Sequence, residues 1–246
     1  MKKLLSIALV AAMLFSCVAA AVPVSAATSG DYEYSVNSSD KTATITDYNG
    51  TEKNVVIPSV IKGYTITSIG EGAFENCTFL SNITIPEGVT SIRYNAFNNC
   101  SSLASVTIPE SVTSIGGWTF YGCASLESVS IPESVTSIGD YAFEDCTSLA
   151  NVTLSDSVTS IGTSAFSGTA YESNDANWEN DVLFIDNHLI KAKSNISGSY
   201  NVPEGTKTIA DRAFNNCTRL ASVSIPEGVT SIVFSSSLTE RFPQVP

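Results

Sequence analysis

Ser137-Ile138-Gly139-Asp140-Tyr141-Ala142-Phe143-Glu144-Asp145-Cys146-Thr147-Ser148-Leu149 is one turn of a pattern that runs through most of the chain. Isoleucine recurs every 23 residues at Ile69, Ile92, Ile115, Ile138 and Ile161. Phe74, Phe97, Phe120, Phe143 and Phe166 follow in step, as do Cys77, Cys100, Cys123 and Cys146, and Leu80, Leu103, Leu126 and Leu149. After an interruption the phase resumes with Ile209, Phe214, Cys217 and Leu220. A fixed period of this length is the signature of stacked coils. A single coil cannot bury its apolar side chains. Stacking lays identical residues above one another at roughly 4.8 Å and turns each column into an internal ladder.

Within a repeat, Leu103-x-x-Val106-x-Ile108 has the spacing of a leucine-rich strand segment. Val106 and Ile108 alternate with Ser105 and Thr107, as in a half-buried strand. Pro109 ends the strand because it has no N–H to donate. Val112 and Ile115 turn back into the core. The stretch around Ala96-Phe97 and Ala142-Phe143 predicts a short helical turn on the opposite side; Thr119 replaces the alanine before Phe120.

The runs 137–149 and Val129-Ser130-Ile131-Pro132-Glu133-Ser134-Val135-Thr136 resemble BspA-type, or treponemal-type, leucine-rich repeats. The resemblance spans about residues 55–232. It implies an α/β-type repeat solenoid: a right-handed coil with a parallel strand ladder and short helical turns opposite. It also implies a bacterial secreted or cell-surface protein with a binding or adhesion role. The partner would be a protein or glycan, such as a host matrix or cell-surface component. The alternative is a structural spacer with no ligand of its own.

The chain divides accordingly. Residues 1–26 read as a secretory signal peptide, with Lys2 and Lys3 before an apolar stretch and small residues at Ser25-Ala26-Ala27. The competing reading is lipoprotein anchoring at Cys17. Residues 27–66 form an N-terminal antiparallel β cap, signalled by alternation at Tyr32, Tyr34 and Val36 and by Asn49-Gly50. Residues 67–166 are regular repeats. Residues 167–208 are an irregular coil, with a loop over 167–181 and a hairpin in which Asp186-Asn187 joins Val182–Ile185 to His188–Ile190. Residues 209–232 resume the repeat, and 233–246 are a divergent tail. The last coil is left with an uncovered apolar edge, an expected place for self-association. No transmembrane segment is expected after the leader.

The chain carries 12 basic and 24 acidic residues, a net charge of −12. That disfavours nucleic acid and anionic membranes, and suits cationic partners or Ca²⁺. His188 is the one histidine and has no second ligand nearby in the sequence. No catalytic motif is present, so no enzyme, cofactor or metal site is expected. The five cysteines that come after the leader share one core column, which predicts free buried thiols. Two surfaces are candidate binding sites. One is the polar strand face with Thr84, Ser105, Thr107, Ser128, Ser130 and Thr153. The other is the aromatic group Tyr94, Trp118, Tyr121 and Tyr141, of a residue type that often anchors contacts.

Overall fold

A computed structural model describes residues 25–229. The expected leader therefore lies outside the described residues except for its last two positions, and so do Ile232 and the tail 233–246. The described chain is a β-solenoid of about 8 turns with parallel strand ladders and almost no helix.

Each regular coil contributes to two ladders. One holds Asn54–Val56, Asn82–Thr84, Ser105–Thr107, Ser128–Ile131 and Asn151–Leu154, all parallel. Its register pairs residues one period apart, such as Ser128 with Asn151 and Val129 with Val152. This is the ladder read from Leu-x-x-Val-x-Ile. The second was not anticipated. Ser91–Ile92, Ser114–Ile115, Ser137–Ile138 and Ser160–Ile161 pair in parallel and continue Tyr64–Ile69. The threonines just before these strands add a side-chain ladder: the Thr113 hydroxyl donates to the Thr90 carbonyl at 3.1 Å, and Thr159 to Thr136 at 3.1 Å.

The third side is a column of turns, and here the expected helical turns do not form. Two residues per coil sit in the left-handed region, for example Trp118 (φ 59) and Gly122 (φ 66), or Tyr141 (φ 58) and Asp145 (φ 59). A right-handed helix cannot run through such positions. The turns instead donate across the stack. Phe74 N–H meets Ala96 O, Phe97 meets Thr119, Phe120 meets Ala142, and Phe143 meets Ala165, each at 2.8 Å.

Between the three sides lies the core. The Phe97, Phe120, Phe143 and Phe166 rings stack with centroids 5.2–5.3 Å apart. Each is fully buried, worth on the order of 1.5–3 kcal/mol of apolar transfer. The five cysteines are free and buried. The Cys100, Cys123 and Cys146 thiols lie 3.0–3.3 Å from the carbonyl oxygen of a phenylalanine one coil back.

At the N-terminal end, Ser25–Ser29, Tyr32–Asn37 and Thr42–Tyr48 pair antiparallel, and Thr42–Tyr48 then runs parallel to Tyr64–Ile69. Tyr48 stacks on Phe74 at 5.1 Å, in the place of a preceding phenylalanine.

The irregular coil departs from the pattern. Val182–Ile185 and His188–Ala192 form the expected hairpin. The stretch 167–181 is more structured than a loop. Thr169 caps a short helix, Ala170–Ser173, by accepting from Glu172 N–H at 3.1 Å. A 3-10 turn comes next at Asp175–Asn177, and Trp178–Glu179 pairs with the hairpin. Asn180 and Asp181 both have positive φ, which a tight two-residue hairpin turn requires. Tyr200 pairs with Val223 in parallel, as their shared phase predicts.

Candidate functional site

The strand-face residues Thr84, Ser105, Thr107, Ser128, Ser130 and Thr153 all lie exposed on one ladder. Their hydroxyls are partly bound to one another. Thr153 donates to Ser130 at 3.0 Å, Ser105 to Asn82 at 2.9 Å, and Asn82 to Asn54 at 2.7 Å. This face is a polar lattice that water covers at little cost.

The aromatic group lies on the turn side and spans three coils. Trp118 is 4.6 Å from Tyr141 and 4.9 Å from Tyr121, centroid to centroid, in tilted packing. The Tyr94 ring lies over Gly117, close enough that a Cβ there would touch it at 3.5 Å. Tyr94 is 45% exposed, and the other three are half-buried. Asp145 sits beside Tyr121, and its negative charge raises the phenol's pKa.

The backbone under this group is strained. Trp118 and Tyr141 occupy a left-handed position that holds Gly72 and Asn95 in the two preceding coils. Glycine and asparagine tolerate it, whereas a bulky aromatic there is an outlier. At this position two adjacent rings, both half-buried, meet 4.6 Å apart. The Gly and Asn residues of that column were visible in the sequence and could have marked it as left-handed.

His188 is fully buried. One ring nitrogen lies 3.1 Å from the Ser155 carbonyl, and burial holds the imidazole's pKa below its usual value. It packs the junction of the hairpin with the regular stack. Among the described residues no three His, Cys, Asp or Glu side chains group as metal ligands, and no helix is long and apolar enough to cross a membrane.

One further site escaped the sequence reading. A cleft of about 610 Å³ opens on the turn side at the irregular coil, between the turn of Phe166 and the turn of Phe214. Phe166, Leu183 and Ile190 line it, with Trp178, Lys191, Lys193 and Arg212 among its polar and aromatic walls. It exists because the irregular coil brings Ala192, whose N–H donates to Ala213 O at 2.7 Å, where regular coils bring phenylalanine. The apolar core is correspondingly split in two at this coil.

Two parallel ladders, a stacked phenylalanine column and a 23-residue register define a leucine-rich-repeat solenoid. The pattern of BspA type leucine rich repeat regions matches residues 67–197 and 192–237, in six copies, and the chain belongs to that family. A leucine rich repeat protein of T. pallidum is similar at 26% identity, with 79% of each chain covered and a TM-score of 0.54. A leucine rich cell surface protein of Faecalibacterium prausnitzii is 31% identical over 91% of this chain and 79% of its own, with a TM-score of 0.50. The pneumococcal vaccine antigen PcpA, 21% identical over 83% of this chain and 65% of its own, shares the fold (TM-score 0.52). No curated protein matches the chain.

Proposed function

We propose that the chain is a secreted or cell-surface binding module that engages a protein or glycan partner through the Tyr94, Trp118, Tyr121 and Tyr141 group. The observation that carries this reading is the pair Trp118 and Tyr141, two bulky residues held at left-handed φ on neighbouring coils. Strain of this kind costs about 1–3 kcal/mol per residue and tends to sit where a side chain must be aimed. Adjacent, tilted rings make a rigid platform for a sugar face or an apolar side chain, and little side-chain entropy is lost on contact. Family membership and the cell-surface relative support the location. The strand face, already bonded to itself, serves as solvent-facing wall. Binding energy, not catalysis, is what this site supplies.

The test is a glycan and matrix-protein array probed with the wild-type chain and with Trp118→Ala. A ligand anchored on Trp118 loses roughly 2 kcal/mol or more, about 30-fold in Kd, while the melting temperature stays within a few degrees. An array without ligands would favour the spacer reading. A collapse of stability in Trp118→Ala would show that the ring is packing.

A further inference from the structure

The cleft at the irregular coil exposes an unfinished hydrogen-bond ladder. In each regular coil the turn donates to the next coil from alternate N–H groups. From the coil of Phe143 these are Tyr141 to Thr163 O, Phe143 to Ala165 O, and Asp145 to Ser167 O, at 2.8–2.9 Å. In the coil of Phe166 the equivalent donors are Ser164, Phe166 and Gly168. The next turn has been displaced, and Ala213 O is taken by Ala192. Gly168 N–H finds the Glu172 carboxylate at 2.7 Å. Among the described residues Ser164 and Phe166 N–H meet no acceptor. Both residues line the cleft, and Phe166 is only 1% exposed. Buried backbone donors are rarely left unpaired, because each costs about 1–3 kcal/mol.

The walls hold one more cation than carboxylate, and Arg212 is the cation without an ion pair among the described residues. Lys191, Lys193 and Arg212 line the cleft against the carboxylates of Glu172 and Asp211, in a chain of net charge −12. Lys191 pairs with Glu172, and Lys193 lies 4.8 Å over the Trp178 ring and 3.7 Å from Asp175. Arg212 is exposed at the opposite lip. Burial, and then Asp140, raise the pKa of Asp211. Glu172 shows within the molecule what the lip accepts: a carboxylate placed on a donor that the missing turn would have satisfied.

We infer that this cleft binds an acidic peptide segment of a partner, whose main-chain carbonyls take the Ser164 and Phe166 N–H groups while a carboxylate meets Arg212. The peptide replaces the displaced turn as the next layer of the stack. The site begins one coil beyond Tyr141, whose N–H donates to Thr163 O in the cleft wall, but it shares no residue with the Trp118 group, so the two are tested separately.

The test uses the full chain, isotopically labelled, and two capped octapeptides, one alternating glutamate with threonine and the other lysine with threonine. The glutamate peptide saturates with a Kd below about 1 mM and shifts the Ser164 and Phe166 amide resonances. The lysine peptide binds at least about tenfold more weakly. Arg212→Glu weakens the glutamate peptide about tenfold and leaves the melting temperature unchanged. The inference is overturned if the glutamate peptide leaves both amides unmoved up to about 5 mM, or if the lysine peptide binds as well. It is also overturned if a neutral oligosaccharide shifts those amides while the glutamate peptide does not. Shifts confined to the Trp118 group would refute the cleft while supporting the aromatic face.

Discussion

The coils of residues 67–166 and the irregular coil after them are built from the same kinds of residue, yet they solve different problems. In the regular stack every coil repeats its neighbour, so each donor, ring and thiol meets its own copy. At the irregular coil Ala192 arrives where a phenylalanine is due, and the ring column stops at Phe166. This substitution leaves a split core, a cleft and two backbone donors that meet no acceptor among the described residues. Repetition therefore supplies stability, and its interruption supplies a concave polar surface. A perfect array would have the first without the second.

The strongest way to break this contrast is at the ring column. Phe120 stacks on Phe97 and Phe143 at 5.3 and 5.2 Å, whereas the described aromatic partner of Phe214 is Tyr200, tilted at 6.0 Å. Phe120→Ala should cost about 3–5 kcal/mol, because it leaves a cavity between two rings. Phe214→Ala should cost about 1–2 kcal/mol less. Urea unfolding of both variants measures the difference. Equal costs would mean that the resumed coil is packed as tightly as the regular stack.

The thiols sharpen the contrast along the stack. Burial pushes the Cys77 thiol up to about 11 and the Cys146 thiol up to about 12. The thiolate is the reactive form, so at pH 8 roughly one in a thousand Cys77 side chains is active and about one in ten thousand at Cys146. Cys77 is also 6% exposed, against none for Cys100, Cys123 and Cys146. Under native conditions an aromatic disulfide reagent should label Cys77 ahead of these three, and raising the pH should speed every site. Mass spectrometry of the labelled peptides gives the order. Prompt labelling of Cys123 would show that the middle of the stack opens.

The columns were legible in the sequence because a buried ladder admits few residue types. Phe74 through Phe166, and the cysteines and leucines behind them, gave period, register and core together. The Ser-Ile ladder was not legible, since two-residue strands such as Ser114–Ile115 are too short to show alternation. The expected helical turns failed because left-handed residues recur within each coil. Interleaved Gly72, Asn95, Asn99 and Gly122 carried that signal, but Trp118 and Tyr141 obscured it. The aromatic group was legible by side-chain type. The cleft was not, because its distinguishing groups are the N–H of Ser164 and Phe166, and every residue other than proline has one.

The smallest expected effect tests the lip of the cleft. Ser164 (φ 54) belongs to the left-handed column of Gly72, Asn95, Trp118 and Tyr141. Its side chain makes no hydrogen bond among the described residues and has no ring to stack, so less offsets the strain here than at Trp118. Glycine adopts φ > 0 without steric cost but loses more backbone entropy on folding. The balance favours Ser164→Gly by about 0.5–1 kcal/mol. The same change at Trp118 also removes ring contacts with Tyr121 and Tyr141, each worth about 0.5–1.5 kcal/mol, and should come out neutral or destabilising. Chemical denaturation of the two glycine variants reads the sign directly. If Ser164→Gly destabilises, the hydroxyl contributes to the lip. If both variants stabilise, the rings at Trp118 and Tyr141 are held against their own packing preference, and the case that they are held for a ligand grows stronger.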